Sequence, residues 1–252
     1  NSIFGSSTII GQANAAGAMT VGAVLYSNTP FYGINPPTIA SFSSVGGMDF
    51  GKDNRNKPDF TAPNGVETTV KMSNFDDDGD GIFQFHGTSA SAPHAAAVAA
   101  LIMEGWDKYN IQFPEGYSIP EEIRGLLQST ALDMLPISSE NPFDYSSGYG
   151  FIQADQALLT FANPKPVLTE LQLGEGTPGT EGFKITLKGN YFINGSEVLL
   201  RGITLPSERV EFKDHSTLIV TLPAFIGNPT LAVHNIPQTD YEDGGTSDAL
   251  VI

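Results

Sequence analysis

The run Phe85-His86-Gly87-Thr88-Ser89-Ala90-Ser91-Ala92-Pro93-His94 sets a serine two residues after a glycine and just before an Ala-rich stretch. A glycine lets a strand turn sharply with no Cβ to clash. Pro93 suits only a first helical turn, where its missing N–H costs nothing. The pattern therefore predicts a strand, a tight turn and a helix opening near Ser89. A hydroxyl there lies beside unpaired N–H groups and the positive end of the helix dipole. Those conditions suit a nucleophile whose own backbone N–H helps hold an oxyanion. They suit a plain N-cap equally, a common role for serine, and the local pattern leaves both readings open. His86 falls on the strand side of the turn, as a side chain at the rim. His94 points elsewhere and reads as a core histidine. His215 and His234 lie in the other half of the chain, so no internal Ser-His-Asp triad is expected.

A second cluster is acidic. Asp76, Asp78 and Asp80 recur at i, i+2 and i+4, with Gly81 next, like the opening of a calcium loop whose turn folds hard oxygen ligands onto one ion. The twelfth position, where a bidentate glutamate would complete the loop, is Gly87. Possible calcium binding and a solvated acidic turn are the two readings.

Composition narrows the partners. The chain has 252 residues, 28 acidic against 12 basic, and a formal charge of −16. No basic footprint exists for a nucleic-acid backbone or an anionic membrane surface. The absence of cysteine removes disulfide scaffolds, thiolate zinc sites and cysteine nucleophiles together. No apolar run approaches the roughly 20 residues of a membrane span.

The elements that would position Ser89 fall before Asn163-Pro164-Lys165-Pro166, where two prolines in three residues favour an extended linker. Two domains are expected, 1–163 and 164–252, and both are acidic. In the first, Met19–Val24 and Thr38–Phe42 read as buried strands, and Glu67–Met72 as a weaker one. Ala95–Met103 predicts a helix buried on most sides. A second helix starts at Pro120, with Glu121 and Glu122 in its first turn and Ile123, Leu126 and Leu127 on one face. A third spans Gln153–Phe161. Strands followed by helices imply an α/β layer architecture. In the second half, strands are marked at Val167–Leu173, Phe183–Leu187, Glu197–Arg201, Ser207–Phe212, Thr217–Leu222, Thr230–His234 and Ala249–Ile252. Gly- and Asn-rich turns separate them, as in a small β-sandwich. Asn194-Gly195-Ser196 reads as a turn, although it fits a glycosylation sequon. Trp106, Tyr191 and Phe192 read as core or rim packing.

Gly87-Thr88-Ser89-Ala90-Ser91-Ala92-Pro93-His94 resembles the nucleophile signature of the subtilisin-like serine peptidases, Gly-Thr-Ser-x-x-x-Pro. Five more segments match that family in order. They are Ala18-Met19-Thr20-Val21-Gly22-Ala23, Ala40-Ser41-Phe42-Ser43-Ser44-Val45-Gly46, Lys57-Pro58-Asp59-Phe60-Thr61-Ala62-Pro63, and the pair Pro120-Glu121-Glu122-Ile123-Arg124 with Ser147-Gly148-Tyr149-Gly150-Phe151-Ile152. The resemblance implies the C-terminal part of a catalytic domain, a partial parallel sheet with helices, and Ser89 as nucleophile. It implies that the general-base His, its Asp and the oxyanion Asn precede this segment; Asn1 lies in no matching Gly-Asn motif. It also implies a secreted or cell-surface endopeptidase acting on protein or peptide, with no cofactor for catalysis. The chain alone is then inactive and is completed by an N-terminal part of the peptidase domain. A truncated sheet is expected to pair with another chain or a rearranged terminus. The alternative is a non-catalytic adhesion scaffold that keeps the peptidase shell.

Residues 164–252 resemble the IPT/TIG group of immunoglobulin-like domains, on Pro166-Val167-Leu168, Gly189-Asn190-Tyr191-Phe192 and Leu218-Ile219-Val220-Thr221-Leu222-Pro223. That implies an all-β immunoglobulin-like sandwich used as a spacer or for protein or carbohydrate contact. DNA binding, seen in some relatives, is disfavoured by the local charge.

Overall fold

The computed structural model describes residues 8–47, 55–69, 76, 79–134, 143–239 and 243–252. The chain forms two compact units, Asn1–Glu104 with Gln112–Ala157, and Gly105–Ile111 with Leu158–Ile252.

In the first unit, β1 (Val21–Leu25) runs parallel to β2 (Phe60–Asn64), in a register from Val21↔Phe60 to Leu25↔Asn64. Ala23, Val24, Phe60 and Ala62 are buried, since small and β-branched residues fill the space on either side of the pair. Val24 packs with Met134 and Phe151 in a buried cluster. The parallel sheet implied by the resemblance is represented among the described residues by this pair and a parallel bridge from Thr61 to Phe151. Both sides of the pair are bonded within the chain. On one, Ala40 N donates to Ala23 O and the Ser43 hydroxyl accepts from Ala23 N. On the other, Thr61 N donates to Gly150 O and Ile152 N to Thr61 O. Ala23 and Thr61, in the middle of the pair, are thus bonded on their outer sides by turns of the chain itself.

Several sequence expectations shift here. Thr38–Phe42 is not a strand: Ile39 makes one antiparallel bridge to Val24, and Ser43 N then closes a turn on Ala40 O. The Ser43 side chain is occupied inward on Ala23, which leaves the segment as a cover for β1 rather than a sheet member. Of the strand expected over Glu67–Met72, β3 covers Val66–Thr68 and pairs antiparallel with β4 (Phe83–Phe85); residues 70–72 lie outside the described residues.

Helix α1 runs Thr88–Lys108, well beyond the Ala-rich core that announced it. It is not buried on most sides. Ala90, Ser91, Ala95, Ile102 and Trp106 make one buried stripe, whereas Leu101 and Met103 are 48% and 52% exposed. Alanine favours a helix whether covered or not, so an apolar run shows the helix without showing which faces are packed. Pro93 is the sixth residue of α1 rather than part of its first turn. It has no N–H for the carbonyl four residues earlier, that of Ser89. Helix α2 (Ile119–Ser129) starts as expected, with Pro120 and two glutamates in its first turn, and buries Ile123 and Leu127. Helix α3 is Ala154–Leu159.

The second unit is built on two antiparallel sheets. β5 (Val167–Leu173), β6 (Phe183–Asn190), β9 (Val210–Asp214) and β10 (Thr217–Leu222) form one, in the order β5-β6-β10-β9. β7 (Glu197–Leu200), β8 (Ile203–Thr204), β11 (Thr230–Asn235), β12 (Gly245–Thr246) and β13 (Leu250–Val251) form the other. Alternation along β6 buries Phe183, Ile185 and Leu187, and along β10 Leu218, Val220 and Leu222. These pack against Val198, Leu231 and Val233 from the other sheet, with Phe192 and Leu205, as one core. The strand expected from Ser207 begins at Val210, because Arg209 N closes a turn on Pro206 O and residues 207–209 become a 3-10 turn. Asn194-Gly195-Ser196 is a turn whose serine is buried: Ser196 donates its hydroxyl to Asn235 Oδ1 at 2.6 Å. Asn235 Nδ2 donates to Pro164 O and Tyr191 O, so one fully buried amide ties the linker to two loops. Phe192 and Trp106 are buried, as read from sequence, and Tyr191 is 43% exposed.

Candidate active site

Ser89 is the second residue of α1 and is exposed. The carbonyl that accepts the first helical bonds belongs to Gly87, from Ala90 N at 2.9 Å and Ser91 N at 3.3 Å. Gly87 is therefore the capping residue, and Ser89 sits inside the first turn rather than capping it. The N–H groups of that turn have no carbonyl four residues back, which leaves the hydroxyl among donors at the positive helix end. Gly87 holds φ +110°, a value that strains any residue with a Cβ, so the β4-to-α1 reversal depends on glycine.

Sequence reasoning missed the residue that fixes this reversal. Asn64, at the carboxyl end of β2, is fully buried, and its Oδ1 accepts from Gly87 N at 3.3 Å. Among the described residues, its Nδ2 and the buried Ser91 Oγ have no protein hydrogen-bond partner. The Asn-Gly step after Ala62-Pro63 was the available signal, but the bond spans 23 residues and no local periodicity encodes it. Next to Asn64, Gly65 N donates to Phe85 O, which ties the start of β3 to the strand leading into Ser89.

His86 packs on the same corner, since a Cβ on Gly65 would lie 3.0 Å from two of its ring atoms. His94 is half-buried rather than a core residue, because its Nδ1–H donates to Ala90 O at 2.7 Å one helical turn back. Asp76 accepts from Gly79 N at 2.7 Å and Gly81 N at 3.0 Å, and Asp80 from Ile82 N at 2.7 Å. Both carboxylates thus bind their own turn; Asp78 lies outside the described residues. No group of three or more His, Cys, Asp or Glu able to hold a metal occurs among the described residues.

A buried charge network supports the corner from the other end of β2. Asp59 Oδ2 accepts from Lys57 Nζ and from Thr20 N, both at 2.7 Å. Its Oδ1 lies 3.3 Å from Arg124 Nε of α2. Lys57 also donates to Ala18 O, and Arg124 Nη2 to Gly17 O at 2.9 Å. One carboxylate therefore joins the approach to β1, the start of β2 and α2. The Ser147–Gly150 turn closes over it: Tyr149 N donates to Asp59 O, and Gly148, at φ +68°, has no room for a Cβ beside Pro58 O.

This strand–turn–helix corner presents an exposed serine, and a buried Lys-Pro-Asp segment supports the strand that holds it. The Subtilase family model, Peptidase S8, matches residues 1–151, and the chain belongs to that family. Fervidolysin of Fervidobacterium pennivorans is 35% identical over 74 residues, 29% of this chain and 9% of Fervidolysin. The match thus spans about a tenth of that relative. Among solved structures, SGBP-B from a complex xyloglucan utilization locus in Bacteroides uniformis is similar over 36% of this chain and 22% of its own. With 20% identity and a TM-score of 0.27, that likeness carries no argument.

Proposed function

We propose that residues 1–163 are the C-terminal part of a subtilisin-like serine endopeptidase domain and that Ser89 is its nucleophile. The observation that carries this reading is the exposed Ser89 in the first turn of α1, on a glycine reversal tied to Asn64. Ser89 Oγ attacks the scissile carbonyl of a protein or peptide substrate, and its own N–H donates to the oxyanion. A histidine from outside this chain takes the hydroxyl proton and later gives it to the leaving amine, oriented by an aspartate. An asparagine from the same upstream region supplies the second oxyanion donor. Neither His86 nor His94 is assigned the role of base. Residues 164–252 are read as an IPT/TIG-like immunoglobulin domain serving as a spacer or contact module, and the whole protein as exported. Among the described residues no helix is long and apolar enough to cross a membrane.

The test is labelling with a fluorophosphonate probe, located by mass spectrometry of the peptide carrying Ser89. Residues 1–252 alone stay unlabelled, whereas a longer form carrying the upstream His and Asp is labelled at Ser89. In that form Ser89→Ala lowers kcat on the order of 10⁶-fold. Rapid labelling of the 252-residue chain would refute the external base, and an unlabelled longer form would favour the scaffold reading.

A further inference from the structure

The segment after β1 carries three aromatic rings on a braced loop, Phe31 and Tyr32 exposed and Tyr26 half-buried. Tyr26 and Tyr32 pair edge-to-face with centroids 5.4 Å apart, and Phe31 and Tyr32 at 5.2 Å. Phe31 is 90% exposed, Tyr32 53% and the adjacent Ile34 41%. Scattered apolar residues at a surface need no explanation, but a contiguous patch marks a contact site. The loop is built rather than loose. Two short 3-10 turns, Tyr26–Asn28 and Pro30–Tyr32, follow each other. Thr29, buried between them, donates its hydroxyl to Tyr26 O at 2.7 Å and accepts at its carbonyl from Tyr32 N and Ile34 N. Thr38 N closes the base of the loop on Asn28 O.

Its place in the sheet says what covers it. β1 and β2 are parallel, and the last register pair is Leu25↔Asn64. The aromatic loop leaves β1 one residue after Leu25, and Asn64 is the residue that holds Gly87 ahead of Ser89. Leu25 and His86 even meet over the same glycine, for a Cβ on Gly65 would lie 2.6 Å from Leu25 Cδ1. The rings and the nucleophile turn therefore share the carboxyl edge of one parallel pair, the edge at which open α/β sheets bind ligands. The chemistry of the occupant follows from charge. The protein carries a net −16, yet its first 48 residues contain no Asp, Glu, Lys, Arg or His. The loop that carries the rings therefore has no formal charge of its own, which suits an uncharged side chain better than an ionic one.

We propose that Tyr26, Phe31 and Tyr32 form a secondary substrate subsite that receives a bulky aromatic or aliphatic side chain of an extended peptide, away from the residue whose carbonyl Ser89 attacks. This rests on the reading of Ser89 as nucleophile. The experiment uses the full-length protein and compares wild type with the double variant Phe31→Ala/Tyr32→Ala. Substrates are a short chromogenic peptide and a longer set in which Phe, Leu, Asp or Lys is scanned through the flanking positions. The wild type is expected to prefer Phe or Leu at one flanking position of the long peptides. There the double variant raises KM about 3- to 10-fold, the range of one aromatic contact. kcat and the short substrate stay unchanged, and Phe31→Tyr restores the wild-type KM. Ser89 labelling with no flanking preference, or an equal loss on short and long substrates, overturns the subsite alone. A wild type unlabelled at Ser89 overturns the nucleophile reading and the subsite with it.

Discussion

The two units of this chain bury different things. In the second, the interior is aliphatic and aromatic, with alternate residues of β6 and β10 meeting Val198, Leu231 and Val233. Its buried polar groups, among them Ser196, Asn235 and Asp243, bond loops around that core. In the first, the buried set includes a lysine, an aspartate, an asparagine and several hydroxyls, among them Lys57, Asp59, Asn64 and Ser91. A buried polar group is costly unless bonded, so it persists where it fixes a geometry that an apolar core would leave free. The Asp59 network fixes three segments beneath β2, and Asn64 fixes the turn before Ser89. The contrast is one of place: in the second unit the buried polar groups lie at loops around an apolar core, and in the first they lie on the parallel pair itself, at both ends of β2.

That comparison is breakable. The largest effect is expected from Asp59→Ala, which leaves Lys57 buried without its partner; such losses cost about 3–5 kcal/mol. Hydrogen exchange should show loss of protection at Val21–Leu25 and Phe60–Asn64 while Phe183–Leu187 stays protected. If both regions lost protection equally, the units would not differ as argued. Leu187→Ala reverses the experiment. Leu187 is fully buried, and a cavity there costs about 3 kcal/mol, read as faster exchange along β6 and β10.

A smaller effect is expected at Asn64. Asn64→Ala removes the bond to Gly87 N, worth about 1 kcal/mol. In a form of the protein that takes up fluorophosphonate, labelling at Ser89 should slow about 5-fold or more, with little change in melting temperature. A drop in melting temperature with unaltered labelling would make Asn64 purely structural.

The mildest test is pH. The Arg209 guanidinium holds Glu181 below the usual carboxylate range, and the Ser216 hydroxyl and amide do the same for Asp214. Burial works upward on Asp243, but bonds from the Thr239 hydroxyl and the Gln238 and Thr239 amides outweigh it, and the net direction is down. Carboxyl groups depressed in the folded state stabilise it above their unfolded pKa, and that stability disappears as pH falls through the folded value. The second unit should therefore lose stability only below the ordinary carboxylate range. A melting temperature flat down to strongly acid pH would show these bonds to be inconsequential.

Much of the second unit was legible because strands announce themselves locally. Val167–Leu173 and Thr217–Leu222 form over the residues marked for them, since alternation and flanking turn residues carry the signal. Thr38–Phe42 failed because its β-branched and apolar residues are shared by a strand and by a turn that covers one. At the candidate site, the strand, the glycine reversal and the helix opening around Ser89 were readable from ten consecutive residues. Asn64 was not, because its partner is remote in sequence, and the exposed aromatic loop went unmarked because exposure has no local code.

By itself the sequence determined the helix after Gly87, the strand rhythm of residues 164–252, the acidity and the family motifs, all of which rest on neighbouring residues. Only the tertiary structure decided which faces of α1 are covered, that Asp59 binds α2, and that the rings after β1 share an edge with Ser89. Those facts depend on contacts between residues tens of positions apart, and such contacts exist only once the parallel pair has set its register.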